Sequence, residues 1–229
     1  MDGFLLVDKP LDWTSFDVVA KVRGMVRAET GLKKPKVGHA GTLDPRATGL
    51  LLLLVGAYCK QAQDFSGLDK TYDATVFLGT ESTTADSEGE KTVISERVPT
   101  SEEVHKAVQK HIGAIEQVPP QFSAKKVDGK RAYDIARSGK TVTLKAQKVT
   151  IHDINIQDYT YPELYITTRV SSGTYIRSLA TSIGDELGVG AYLSALHRTH
   201  IGAYSVRDAV TIDTLASTGV APHVRSVGT

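Results

Sequence analysis

The sequence predicts an α+β fold built around a mixed, mostly antiparallel sheet with flanking helices. Two patterns carry this: stretches of alternating apolar and polar residues lie between stretches with helical apolar spacing, and they do not follow a strict βαβ rhythm. Composition supports it as well. With 41% hydrophobic and 23% charged residues in 229, the chain has enough apolar side chain for a core and is read as a single domain, 1–229.

In order, Gly3 to Lys9 reads as a short strand that Pro10 prevents from continuing. Thr14 and Asp17 form a capping-box pattern, and Val18, Val19, Val22, Met25 and Val26 then predict a helix of about three turns. Gly31 to Lys36 is a basic connector, and Gly38 to Pro45 is too rich in turn formers for regular structure. Leu50 to Val55 reads as a strand buried on both faces. Tyr72, Ala74, Val76 and Leu78 alternate with polar neighbours as another strand, followed by an acidic loop from Thr80 to Glu90. Thr100 and Glu103 cap a helix whose apolar side is Val104, Ala107, Val108 and Ile112, with Gly113 as its stop. Lys130 to Ser138 suggests a short helix, Val149 to Ile156 and Leu164 to Val170 two strands, and Ile176 to Leu187 a helix ended by Gly188.

The same numbers exclude several classes. One cysteine, Cys59, rules out a disulfide scaffold and points to a reducing compartment. The longest apolar run, Leu50 to Val55, is far short of the ~20 residues that cross a bilayer, so the expectation is a cytoplasmic chain with no membrane partner. Net charge is +1, yet by segment it is +3 over 1–60, −6 over 61–118, +6 over 119–150 and −2 over 151–229. The basic segment suits a phosphate backbone or, equally, a solvated lysine-rich loop.

Common catalytic signatures are missing. No CxxC pair, HExxH or GxGxxG occurs, so metal and dinucleotide readings have no anchor and no cofactor is expected. Ser138-Gly139-Lys140-Thr141 lacks the first glycine of a phosphate-binding loop, Asp134 standing in its place. What remains is Asp44, set among His39, two glycines, Pro45 and Arg46. Local chemistry alone favours Asp44 as a turn cap, His39 as a half-buried turn residue, Tyr72 as core and Arg177 as solvated.

The stretch Gly38-His39-Ala40-Gly41-Thr42-Leu43-Asp44-Pro45-Arg46-Ala47-Thr48-Gly49-Leu50-Leu51 resembles the GHxGTLDPxATGxL signature of the TruB family of pseudouridine synthases. Val7-Asp8-Lys9-Pro10 with Trp13-Thr14-Ser15 is similar to that family's VDKPxGxTS motif, and Lys70-Thr71-Tyr72 to its KxY strand. Ser172 to Leu179 resembles SxGTYIRxL, and Leu196-His197-Arg198-Thr199 fits LxRT. The matches keep the family's order from residue 3 to about 208.

That resemblance implies the pseudouridine synthase fold and an isomerase converting uridine to pseudouridine, at position 55 in the TΨC arm of tRNA. Asp44 would be the catalytic carboxylate. It would attack C1′, assist 2′-proton removal on a glycal route, or work through a C6 adduct, and the choice stays open. Tyr72 would stack on the flipped base and Arg177 would pair with Asp44. His39, Lys9 and Asp86 would contact substrate, although Thr83 stands where the family often has a second aspartate. The basic segment resembles the family's thumb insertion (119–148), bringing Lys125, Lys126, Lys130 and Arg131 to RNA, with Phe122 and Tyr133 beside them.

Beyond Asp208 only 21 residues follow, so no PUA domain is expected, and tRNA affinity should depend less on the acceptor stem. The expected partner is the T-arm of tRNA and the expected state a monomer. Two alternatives stand beside this one: a catalytic subunit of a guide-RNA-dependent particle, and a non-catalytic RNA chaperone.

Overall fold

The computed structural model describes residues 1–120, 126–127, 130–131 and 144–227. It shows an α+β chain whose strand pairs are mainly antiparallel. The chain forms two compact units: Met1–Tyr72 with His197–Thr229, and Asp73–Leu196.

The first unit opens with β1 (Gly3–Lys9), α1 (Ser15–Thr30), β2 (Val37–His39) and β3 (Ala47–Val55). β1 and β2 both pair antiparallel with β3, with Gly3 and Val37 each opposite Val55. The apolar run in β3 is continuous because both of its faces are covered. Leu51, Leu53 and Val55 pack with Val18, Val19, Val22 and Val26 of α1, while Leu50, Leu52 and Leu54 pack with Phe4, Leu6, Phe65 and Ile201. Phe65 lies in α2 (Ala62–Ser66). α1 runs 16 residues, longer than the sequence predicts, from the capping box of Thr14 and Asp17 to Gly31, which closes it at φ 72°. β2 corrects the irregular reading of Gly38 and His39: glycines stand at 38 and 41, but the main chain of Val37–His39 still pairs with β3.

β4 (Lys70–Leu78) and, later, β12 (Ala191–Ile201) each contribute residues to both units. β4 keeps its expected period of two, burying Lys70, Tyr72, Ala74, Val76 and Leu78. In the second unit β5 (Thr80–Ser82) pairs with β6 (Lys91–Val93) inside the acidic loop, and α3 (Ser101–Gln109) starts at the predicted Thr100–Glu103 box. α3 ends earlier than predicted, at Gln109 with Lys110 as its C-cap, so Gly113 does not stop it. Gly113 opens β7 (Gly113–Gln117) at φ 111°.

β8 (Lys126–Val127) pairs with β9 (Lys130–Arg131), so Lys130 and Arg131 are extended where a helix was expected; the rest of that predicted helix lies outside the described residues. β10 (Gln147–Thr160) pairs with β7 on one edge and β11 (Glu163–Val170) on the other. α4 (Ile176–Leu187) ends at Gly188, in the left-handed region. The chain closes in the first unit with β13 (Tyr204–Ser205) on β12 and α5 (Ile212–Thr218) against α1 and β3.

Candidate active site

The Asp44 loop joins β2 to β3. At its ends, Ala40 N donates to Leu52 O at 2.9 Å and Ala47 N to Asp44 O at 3.1 Å. Three segments outside it also hold it. Ser15, at the start of α1 and 3% exposed, accepts from Leu43 N at 2.8 Å and donates to Leu43 O at 3.0 Å. Lys9, at the end of β1, donates from Nζ to the carbonyls of Pro10 (2.8 Å), Trp13 (2.6 Å) and Pro45 (3.3 Å). Arg198 in β12 donates from Nε to Leu50 O at 2.7 Å, from Nη1 to Thr42 O at 3.3 Å and from Nη2 to Gly41 O at 3.1 Å. Asp12 adds its main-chain N–H to Pro45 O at 2.9 Å and its carboxylate to Arg46 at 2.7 Å.

Each arrangement follows from residue chemistry. A guanidinium offers donors in a fixed fork, which suits three carbonyls spread along a turn. Gly49 stands where Arg198 passes, at φ 98°, and a Cβ there would lie 2.4 Å from Arg198 O. Thr48 Oγ1 and His197 Nδ1, at 2.8 Å, join the same two strands.

The loop sits in a field of buried cations. Burial pushes the Lys9 ammonium down to about 8, with the Asp44 carboxylate the first of the charges opposing that shift. Lys70, donating to Ser66 O and Leu68 O, is likewise lowered to about 8 by burial, then by Arg198. Asp44 itself is half-buried, as is His39 at the end of β2. Tyr72 is 8% exposed, on the same face of β4 as Lys70, and neighbouring Thr71 O accepts from Thr199 Oγ1.

The second unit holds the other charged pair. Arg177, the second residue of α4, is 5% exposed and donates Nη1 to Asp86 Oδ2 at 3.2 Å and to Thr84 O at 3.4 Å. Asp86 also accepts from Thr84 Oγ1 at 2.5 Å and Glu88 N at 3.0 Å.

Three of the expected site residues are buried. Arg177 is buried and ion-paired, not solvated as its place beside an apolar stripe suggested. Asp86, expected at the substrate, is 7% exposed and spends its acceptors on Arg177, Thr84 and Glu88. Lys9, expected at RNA, has no exposed surface and faces main-chain carbonyls. Lys125 lies outside the described residues, and Lys126, Lys130 and Arg131 are described only as strand backbone. Sequence reasoning assigned no role to Ser15, Lys70 or Arg198, although each stands inside a quoted motif. Among the described residues no group of three histidine, cysteine or acidic side chains is placed to hold a metal ion.

A family model described as TruB family pseudouridylate synthase, N-terminal domain, matches residues 27–176, well over half of the chain. The chain belongs to the TruB family. A second model, the tRNA pseudouridylate synthase B C-terminal domain, matches residues 177–222. The tRNA pseudouridine synthase B of Phocaeicola vulgatus is 46% identical over 211 residues, covering 91% of this chain and 89% of the relative. That of Chlorobaculum tepidum is 45% identical over 213 residues, covering 92% and 88%. Among solved structures, a chain from a crystal structure of a Cbf5–Nop10–Gar1 complex superposes with a TM-score of 0.72 at 26% identity, over 95% of this chain and 54% of that one. The TruB-family chain therefore has the pseudouridine synthase fold, and it belongs with enzymes.

Proposed function

We propose that this TruB-family chain isomerises uridine to pseudouridine in tRNA, at position 55 of the TΨC arm, with Asp44 as the acting carboxylate. One observation supports the residue assignment above the rest: buried Lys9, Ser15 and Arg198, from two motifs far apart in the chain, all terminate on the short loop that presents Asp44. A turn cap needs no such scaffold. The reaction breaks the N1 glycosidic bond and joins C5 to C1′, so a carboxylate held at the ribose suffices, and its preorganised position is what the scaffold supplies.

The target nucleotide leaves its stack to reach that carboxylate, at a cost of a few kcal/mol. Tyr72 stacks on the flipped uracil, a contact worth about 1 to 3 kcal/mol. His39 holds the rearranged RNA. Arg177 joins the catalytic group on the strength of its motif, with Asp86 as the partner that orients it. Lys9 acts on the loop, not on RNA. Residues 119–148 form the thumb that contacts the T-arm, adding affinity more than base specificity. The working state is a cytoplasmic monomer. Identity of 46% across nearly all of a relative named for tRNA favours this reading over a guide-dependent subunit.

The test is incubation of the purified chain with unmodified tRNA, without guide RNA, followed by position-resolved pseudouridine mapping. Pseudouridine at position 55 is the expected product; no pseudouridine in tRNA sinks the proposal.

A further inference from the structure

Away from the Asp44 loop, the first unit carries a second concentration of positive charge. Arg23 and Arg27 of α1 and Lys33 and Lys34 of the following connector line an open groove of about 480 Å³. Its floor at Gly24 is unobstructed, with nothing within 4 Å of where a Cβ would stand. Arg27, Lys33 and Lys34 are exposed. Arg23 is half-buried and anchored, its Nη2 donating to Val37 O at 2.8 Å.

Among the described residues no carboxylate forms an ion pair with these cations. Glu29, the acid nearest in α1, is engaged by the main-chain N–H groups of Val220 and Ala221, and Asp17 by the cap at Thr14. Like charges gathered in a groove repel one another and are relieved by a polyanion. Arg23 and Arg27, one turn apart, stand about 6 Å apart along the helix axis, a spread suited to successive phosphates more than to one. At the rim Phe16 is 64% exposed, with the Arg23 guanidinium 6.0 Å from its ring centroid. Cations beside an exposed aromatic ring are the composition of a single-strand platform.

We infer that this groove binds the sugar-phosphate backbone of the tRNA substrate, as a second contact separate from the thumb, with Phe16 stacking on an unpaired base. The inference rests on the proposed function for its ligand. Val37, whose carbonyl accepts from Arg23, lies two residues before His39 in β2, the strand that leads into the Asp44 loop.

The test measures fluorescence anisotropy of labelled, unmodified tRNA with the full chain over a salt series. Arg27→Gln/Lys33→Gln/Lys34→Gln is expected to weaken affinity at least about tenfold at low salt and to reduce the slope of log K against log salt by about two. Phe16→Ala is expected to weaken binding with the slope kept, because stacking releases no counterions. Lys33→Arg/Lys34→Arg keeps the parent slope. The single Lys34→Gln variant, at an exposed site, should lower the slope by somewhat less than one and serves if the triple variant folds poorly. Parent affinity and slope in the glutamine variants overturn the inference. Turnover of the parent chain is scored separately, so failure of the proposed function and failure of the groove are read in different assays.

Discussion

Lys9 holds a charge without any exposed surface because three carbonyl oxygens replace its water. Replacing it with methionine keeps the bulk and leaves those carbonyls without their donor, so a loss of about 1 to 3 kcal/mol is expected in denaturant unfolding. The pH dependence has a definite sign. The folded chain releases the Lys9 proton near pH 8, whereas an unfolded lysine keeps its proton to about 10.5. Between those values the unfolded state binds more protons, and stability rises with pH across that window. Lys70, lowered to about 8 in the same way, adds to the rise. Unfolding midpoints measured through this window should climb less steeply in Lys9→Met than in the parent. Asp86 gives a second residue-scale prediction. Asp86→Asn removes the charge of the buried carboxylate to which Arg177 donates and should cost about 3 kcal/mol; a parent-like unfolding curve would show the pair to be dispensable.

The β2–loop–β3 element is rigid because its supports come from outside it. Gly49→Ala places a methyl 2.4 Å from Arg198 O at a φ of 98°, so the strand must move away from Arg198 and loosen the grip on Gly41 and Thr42. The expected result is a destabilisation exceeding about 1 kcal/mol together with a loss of turnover. Thr100→Ala, at the α3 cap in the other unit, should cost about 1 kcal/mol with no comparable loss of turnover. Comparing turnover at equal folded fraction separates the two. Elements with one clean period were legible in the sequence: α1 and α3 from their capping boxes, β3 from its apolar run, β4 from alternation, α4 from its stripe and Gly188. β12 was not, because its buried members include Arg198 and its inner stretch breaks the alternation at Ala195 and His197. β7 was too short, at five residues, to show a period.

For the whole molecule, motif order located Asp44 before any coordinates, but the scaffold beneath it was illegible. A sequence shows where a lysine or arginine stands, not that folding buries it: nothing in the sequence showed that Lys9 would be fully buried, or that Arg177, given a catalytic role by its motif, would donate to Asp86. Net charge misleads for the same reason. At +1 the chain has no global attraction for RNA, yet segments of +6 and +3 alternate with acidic ones. Affinity for tRNA is therefore expected to fall at least about tenfold between low and physiological salt, measured by anisotropy, since it comes from local phosphate contacts. The central claim concerns one carboxylate, and Asp44→Asn tests it most directly by removing the charge while conserving shape. Position-resolved mapping of tRNA incubated with this variant should show no pseudouridine at position 55, with tRNA binding within a few-fold of the parent. Pseudouridine formation by Asp44→Asn at the parent's rate would contradict the account.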